Sequence, residues 1–270
     1  MAPSATWQLE RGAAERYAEV LVPAILGPFA RALVERAGPR AGEAVLDVGC
    51  GSGAAACRAA ARVGRGGAVV GVDPNPAMLE VARASAGRGG AAIAWRAGRA
   101  EALPFPDAAF DLVLCAQTLQ FVGERELALR EMRRVARAGG RLAVSAWCGL
   151  PDNPYFDAVA QALVHLGADA PSGLLPAFAL SDADALRRLF ARAGLPEPAL
   201  AAHELALELP PADAFVPRHL GATPVAPLYA RATQAARAKT VAAARERLAP
   251  WTRDGVLRVP FRSWIALAAP

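Results

Sequence analysis

Between residues 44 and 148 the chain alternates short apolar runs with longer amphipathic stretches. The runs "EAVLDVG", "GGAVVGVD", "AAIAWRA", "FDLVLCA" and "GGRLAVSAW" have the length and bounding residues of buried strands. Between them, Ser52 to Arg62 is rich in alanine, and "ERELALREMRRVAR" is amphipathic. "NPAMLEVARAS" places Met78, Leu79 and Ala82 on one face, with Asn75 as N-cap and Pro76 in the first turn. These three stretches predict helices. Regular alternation of strand and helix predicts a doubly wound, mostly parallel sheet, because parallel neighbours need crossover connections.

Outside this region the pattern is less regular. Residues 7 to 37 read as helical, with breaks at Pro23 and Pro28. After Trp147, "CGLPDNP" reads as a loop and residues 155 to 168 as a helix. "SDADALRRLFARAGL" has a helix start at Ser181 and a stop at Gly194. "ALAAHELALEL" predicts a sixth strand, and residues 210 to 250 a proline-punctuated helical segment. "LRVPFRSWIALA" predicts a last strand, which Pro260 weakens or places at a sheet edge. The expected fold is α/β, with a seven-stranded Rossmann-like sheet and an α-helical insert. Its expected divisions are a helical cap (1–40), a cofactor-binding core (41–148), further core elements plus insert (149–255) and a final strand (256–270).

Composition changes this picture little. The 270 residues are 54% hydrophobic and 20% charged, which suits a folded domain with a sizeable core. Net charge is +5, but the arginines are scattered among acids and Lys239 is the only lysine, so no nucleic-acid surface is expected. Cys50, Cys57, Cys115 and Cys148 form no CxxC pair, and no His/Cys cluster has metal spacing; buried thiols in a reducing compartment and no metal site are expected. Glu10, Arg11, Glu15 and Arg16 interrupt any leader, and "VLVPAILGPFA" is short for a bilayer span, so a cytoplasmic protein is expected.

The candidate chemistry sits in "GCGSGA", residues 49 to 54. This loop fits G-x-G-x-x-A, a dinucleotide fingerprint, with Asp73 placed 20 residues past Gly53 to bind a ribose. No Gly-Lys-Ser/Thr follows, so it is not a P-loop. Two features turn the reading from NAD towards S-adenosylmethionine. Asp47, two residues before Gly49, would repel a pyrophosphate but suits a sulfonium cofactor with an ammonium group. The second mononucleotide half is also missing after residue 148.

"VLDVGCGSG", "GVDPNPAMLEVAR", "AEALPFPDAAFDLVL" and "EMRRVARAGGRLAVSAW", in that order, resemble the class I S-adenosylmethionine-dependent methyltransferases. They are most similar to the type-11 group that includes the ubiquinone/menaquinone C-methyltransferases. The resemblance implies S-adenosylmethionine as cofactor and S-adenosylhomocysteine as product. Gly49, Gly51 and Gly53 would let backbone approach the cofactor, with Cys50 and Ser52 beside them. Asp73 would take both ribose hydroxyls, with Pro74 next to it, and Met78 would cover the adenine. Many relatives carry Asp where this chain has Arg99, so adenine contacts fall to Ala100 and Glu101. Tyr17 would touch the methionyl end, and Cys115 and Gln120 would stand near the reacting centre.

The expected function is methyl transfer by in-line displacement to a small apolar or aromatic acceptor, such as a quinone, phenol or polyketide-like metabolite, at oxygen or carbon. The acceptor pocket is expected from the opening helix, the loop after the fourth strand, and residues 150–180 and 210–250, with Phe156, Leu163, Leu174, Leu175, Phe178, Phe215, Leu220 and Leu228 as apolar candidates. His165, His203 and His219 pair with no acid or serine in the sequence, so no general base is named. A monomer and a homodimer fit equally. The alternatives are a cofactor-binding protein or non-methylating catalyst on the same fold, and an NAD-type oxidoreductase.

Overall fold

The computed structural model describes residues 9–85, 90–167 and 173–269. Its first helix runs unbroken from Arg11 to Ala37. Two α-helical parts, α1 (Arg11–Arg16) and α2 (Gly27–Ala37), flank a π-helical stretch over Tyr17–Leu26. The sequence predicts breaks at the prolines, and the wider π turn explains why none occurs. The Gly27 amide donates to the Val22 carbonyl, five residues back, and Pro23 lies within the widened turns, where register has already shifted. By length and composition this helix also passes as a membrane span, with a window of mean hydropathy 1.4 that the shorter run considered above does not reveal. Half of that window is buried inside the protein.

The alternating region gives β1 (Ala44–Val48), α3 (Ala54–Val63), β2 (Ala68–Asp73), α4 (Pro76–Ser85), β3 (Ile93–Ala97), β4 (Phe110–Ala116), α5 (Arg125–Val135) and β5 (Ala136–Trp147). Then follow α6 (Pro154–Ala162), α7 (Ala183–Arg192), β6 (Ala199–Leu209), α8 (Ala212–Leu220), α9 (Ala226–Arg231), α10 (Gln234–Leu248), β7 (Thr252–Arg253) and β8 (Val256–Ala268). Asn75 caps α4 as expected, accepting from the Ala77 amide at 2.9 Å. Helix α7 is capped by Asp182, which accepts from the Asp184 amide, and not by Ser181.

The strands form one sheet in the order β3-β2-β1-β4-β5-β8-β6, with the two-residue β7 paired to β8. Strands β1 to β5 are parallel, and β8 runs antiparallel to both β5 and β6. The last strand therefore lies inside the sheet. Pro260 is tolerated there because β5 pairs with β8 only from Ser263 onward, leaving the proline paired with Ala206 of β6 on one side alone.

Successive residues of the central strands face opposite layers. Val45, Leu112, Leu114 and Ala143 pack with α2 and α3. Leu46, Val48, Val113, Cys115 and Val144 pack with α5 and α7. A third core joins the π-helical stretch to α6, α8 and α10 through Leu21, Ile25, Tyr155, Phe215 and Leu248.

Candidate functional site

The carboxyl ends of β1 to β5 open into one cavity. It is lined by Gly49 to Ser52 after β1, Asp73 and Pro74 at β2, Gly98 to Glu101 after β3, Ala116 to Thr118 after β4, and Trp147 at the end of β5. Strand order reverses between β1 and β4, the place where open α/β sheets take ligands.

The loop after β1 needs its glycines for different reasons. Gly49 has φ 67°, and a Cβ there would lie 2.0 Å from the Thr118 methyl. Thr118 in turn donates its hydroxyl to the Gly49 carbonyl at 2.9 Å. Gly51 has φ 52° and nothing within 4 Å of where a Cβ would stand, so this backbone is open to a ligand. Gly53 faces away from the cavity: a Cβ there would meet the Trp95 ring at 2.5 Å. Its task is close packing against β3, and it does not line the site. Ala54 and Ala55, the first residues of α3, do.

Two buried acids face each other across this loop. Asp47 is 1% exposed. Its Oδ2 accepts from the Ala56 amide at 2.9 Å, while Oδ1 has no partner among the described residues. Burial pushes the Asp47 carboxyl up to about 7, against the pull of that amide. Asp73 accepts from the Gly51 amide at 2.9 Å and the Asn75 amide at 2.8 Å, one on each oxygen. Burial raises its pKa while these two amides oppose the shift. Burial, and then the charges of Asp47 and Asp73, hold the Cys50 thiol well above its usual range. Glu101 pairs with Arg99 at 3.1 Å, and both line the cavity. Met78 lines it from α4, and Ala100 from the loop after β3.

The other half is apolar. The opening helix contributes Tyr17, Leu21, Val22, Ile25 and Leu26, and the far wall is Trp147, Phe156, Leu174, Phe178 and His219. Burial raises the Tyr17 phenol, with the Asp73 charge adding to the effect. Gln117, at φ 50°, turns the chain after β4. Its side-chain Nε2 donates to the Ser263 hydroxyl at 2.7 Å.

Several expected residues lie elsewhere. Cys115 is fully buried in the core on the α5 side of the sheet. Gln120 is 1% exposed and sits behind Gln117, donating to its side-chain oxygen at 3.2 Å. Of the apolar candidates, Phe156, Leu174 and Phe178 line the cavity. Leu163, Phe215 and Leu220 are core, and Leu175 and Leu228 are exposed. Thr118 and Trp147 are lining residues that sequence reasoning did not single out, and His219, weighed there only as a base, lines the cavity too. For His219 a signal exists: it lies four residues after Phe215, a polar residue on the apolar face of α8. Its Nδ1 lies 2.8 Å from the Tyr155 hydroxyl.

A model described as "Methyltransferase domain" matches residues 46–144. The ubiquinone/menaquinone biosynthesis C-methyltransferase UbiE of Hahella chejuensis is 42% identical over 126 residues, 46% of this chain and 50% of that protein. The chain thus spans about half the length of the curated relatives it matches. Among solved structures, YcgJ of Bacillus subtilis superposes with a TM-score of 0.56 at 21% identity, covering 88% of this chain and 97% of that one. The [4+2]-cyclase SpnF superposes with a TM-score of 0.55 at 20% identity, covering 90% and 80%. These likenesses establish a fold that carries more than one chemistry.

Proposed function

We propose that this chain, whose residues 46–144 are a class I methyltransferase domain of the type-11 group, moves the methyl group of S-adenosylmethionine to a small apolar or aromatic acceptor at carbon or oxygen. The observation that carries this reading is the two-sided cavity. Acids and open glycine backbone line one side, and aromatic side chains line the other.

The residues present fit the cofactor. The unpartnered Oδ1 of Asp47 is an acceptor in need of a donor, and an ammonium group satisfies it. The open backbone at Gly51 and the first amides of α3 suit the methionyl carboxylate. Each Asp73 oxygen has accepted one backbone hydrogen and retains room for a ribose hydroxyl. Pro74, Met78, Ala100 and Glu101 line the cavity and would take the adenine, while Cys50, Ser52 and Tyr17, which also line it, would meet the methionyl end. When bound, the cofactor supplies a methyl group on a positively charged sulfur.

The chain's own part is to hold two reactants in line and to exclude water. The opening helix closes the cavity with Tyr17, Leu21, Val22, Ile25 and Leu26, and Trp147, Phe156 and Phe178 give the acceptor flat apolar walls. The four free cysteines suit a reducing compartment, and a cytoplasmic location is part of this reading. The test is transfer of label from methyl-labelled cofactor to a panel of phenols and quinols, with calorimetry of S-adenosylhomocysteine and NAD alongside. S-adenosylhomocysteine should bind and NAD should not; tighter binding of NAD sinks the reading. Cofactor binding without transfer to any acceptor would point to a non-methylating catalyst.

A further inference from the structure

Tyr155 is fully buried and packs among Phe156, Phe215 and Phe261. Among the described residues its hydroxyl has one partner, His219 Nδ1 at 2.8 Å, with the two rings stacked 18° from parallel. Two proton placements are possible across that contact. If Nδ1 carried the proton and donated to the phenol oxygen, the phenol hydrogen would be left unpaired among apolar rings, a costly arrangement. The phenol therefore donates, and Nδ1 accepts. A neutral imidazole whose Nδ1 accepts carries its hydrogen on Nε2.

That second nitrogen has no partner among the described residues, and it is not sealed from solvent. His219 is 2% exposed overall, yet it lines the cavity together with Thr223, Trp147, Phe156 and Phe178. Its free edge therefore meets the cavity on the acceptor side. Neither ring nitrogen touches a carboxylate, and burial drives the ring's pKa down to about 4. The ring stays neutral around pH 7.

We propose that Tyr155 fixes His219 as a neutral hydrogen-bond donor whose Nε2–H holds an oxygen of the methyl acceptor. This rests on the methyltransferase reading of the cavity. The protonated Nε2 has no lone pair to take a proton, so His219 is not the base of the reaction. It selects acceptors that present an oxygen lone pair: a carbonyl, an ether or an ionised hydroxyl. A ring-bound ionised oxygen gains most, because a hydrogen bond to a charged acceptor is the stronger kind. The pair thereby sets the acceptor's orientation against the aromatic walls and not its protonation.

The tautomer is measurable without any acceptor. The full-length double variant His165→Gln/His203→Gln leaves one histidine, and neither replaced residue lines the cavity. Two-bond nitrogen–proton correlation of that imidazole at neutral pH should show the Nε2–H tautomer. The Nδ1–H tautomer, or a charged ring, overturns the proposal. The acceptor side is probed with 2-naphthol and its near-isostere 2-methylnaphthalene, titrated into protein saturated with S-adenosylhomocysteine. Wild type should prefer 2-naphthol by about tenfold. His219→Leu should erase the preference, and His219→Gln, which restores an N–H near the same point, should recover part of it. Equal binding of the two probes by wild type, or none of either, overturns the proposal. Failure of S-adenosylhomocysteine to bind wild type overturns the methyltransferase reading instead and leaves the tautomer measurement standing.

Discussion

Asp47 divides its two oxygens between two tasks. Oδ2 holds the Ala56 amide and so fixes the start of α3, while Oδ1 waits for a donor. An aspartate in an unfolded chain titrates near about 4, and burial moves this one up to about 7. Between those values the folded protein keeps a proton that the unfolded chain releases. Its stability therefore falls as pH rises through that window, and the cost is complete above it. The melting temperature of wild type should drop between about pH 5 and about pH 8 by more than that of Asp47→Asn, which keeps a side-chain acceptor for Ala56. Parallel profiles would remove the titration from Asp47. The same substitution should weaken S-adenosylhomocysteine binding, since an amide cannot match a carboxylate against an ammonium group. Asp73→Ala should weaken it by at least tenfold, because each charge-assisted hydrogen bond is worth about 1.5–3 kcal/mol. That variant also frees the Gly51 and Asn75 amides, so calorimetry must be read beside a melting curve. A folded variant with unchanged affinity would falsify the ribose-binding role.

The helices around the acceptor half differ in what they bear. Phe215, on α8, is 1% exposed and packs against Tyr155 and His219. Phe178 instead lines the cavity and touches Phe156 edge-on. Phe215→Ala should cost about 3–5 kcal/mol, seen as a large fall in melting temperature. Phe178→Ala should melt close to wild type and raise the Michaelis constant for the acceptor. If both melt far lower, the wall at Phe178 is core. Gly27 offers a further test. A Cβ there would meet the Val22 carbonyl at 2.6 Å, inside the π turn. Gly27→Ala should destabilise the helix by about 1–3 kcal/mol and disturb Val22 and Leu26 at the cavity. Such contacts mark the limit of what the sequence discloses. The strand–helix alternation, the Asn75 cap and the glycine loop are legible because each is local and repeats a known period. The unbroken helix over Pro23 is not, since a shift of register leaves no mark on side-chain type. Cys115 misleads because the strand's end is readable but the face it turns to the core is not. His219 gains its meaning from Tyr155, 64 residues earlier, a pairing that only the packing of α6 against α8 creates.

The cavity lies between the sheet and a cover made by the opening helix and α8, so the molecule as a whole should respond to a ligand placed there. At a hundred times its dissociation constant, S-adenosylhomocysteine should stabilise the fold by about 2.7 kcal/mol, and NAD at equal concentration by nothing measurable. Hydrogen exchange should slow in Tyr17–Leu26 together with the loop after β1, because both line the ligand's space. Protection confined to the loop would detach the helix from the site. The sheet also imposes an order on synthesis. Residues 256–268 slot between β5 and β6, with Ser145 beside Ile265 on one side and Ala201 beside Ile265 on the other. A ribosome delivers β5 more than a hundred residues before this strand, so the growing chain carries β5 with an open, apolar margin and β6 with no neighbour at all. That margin invites pairing with another chain. Slowed or crowded translation should therefore drive this protein to aggregate well before its mature form loses stability. A peptide of residues 256–268 supplied in trans should rescue a chain cut at residue 255.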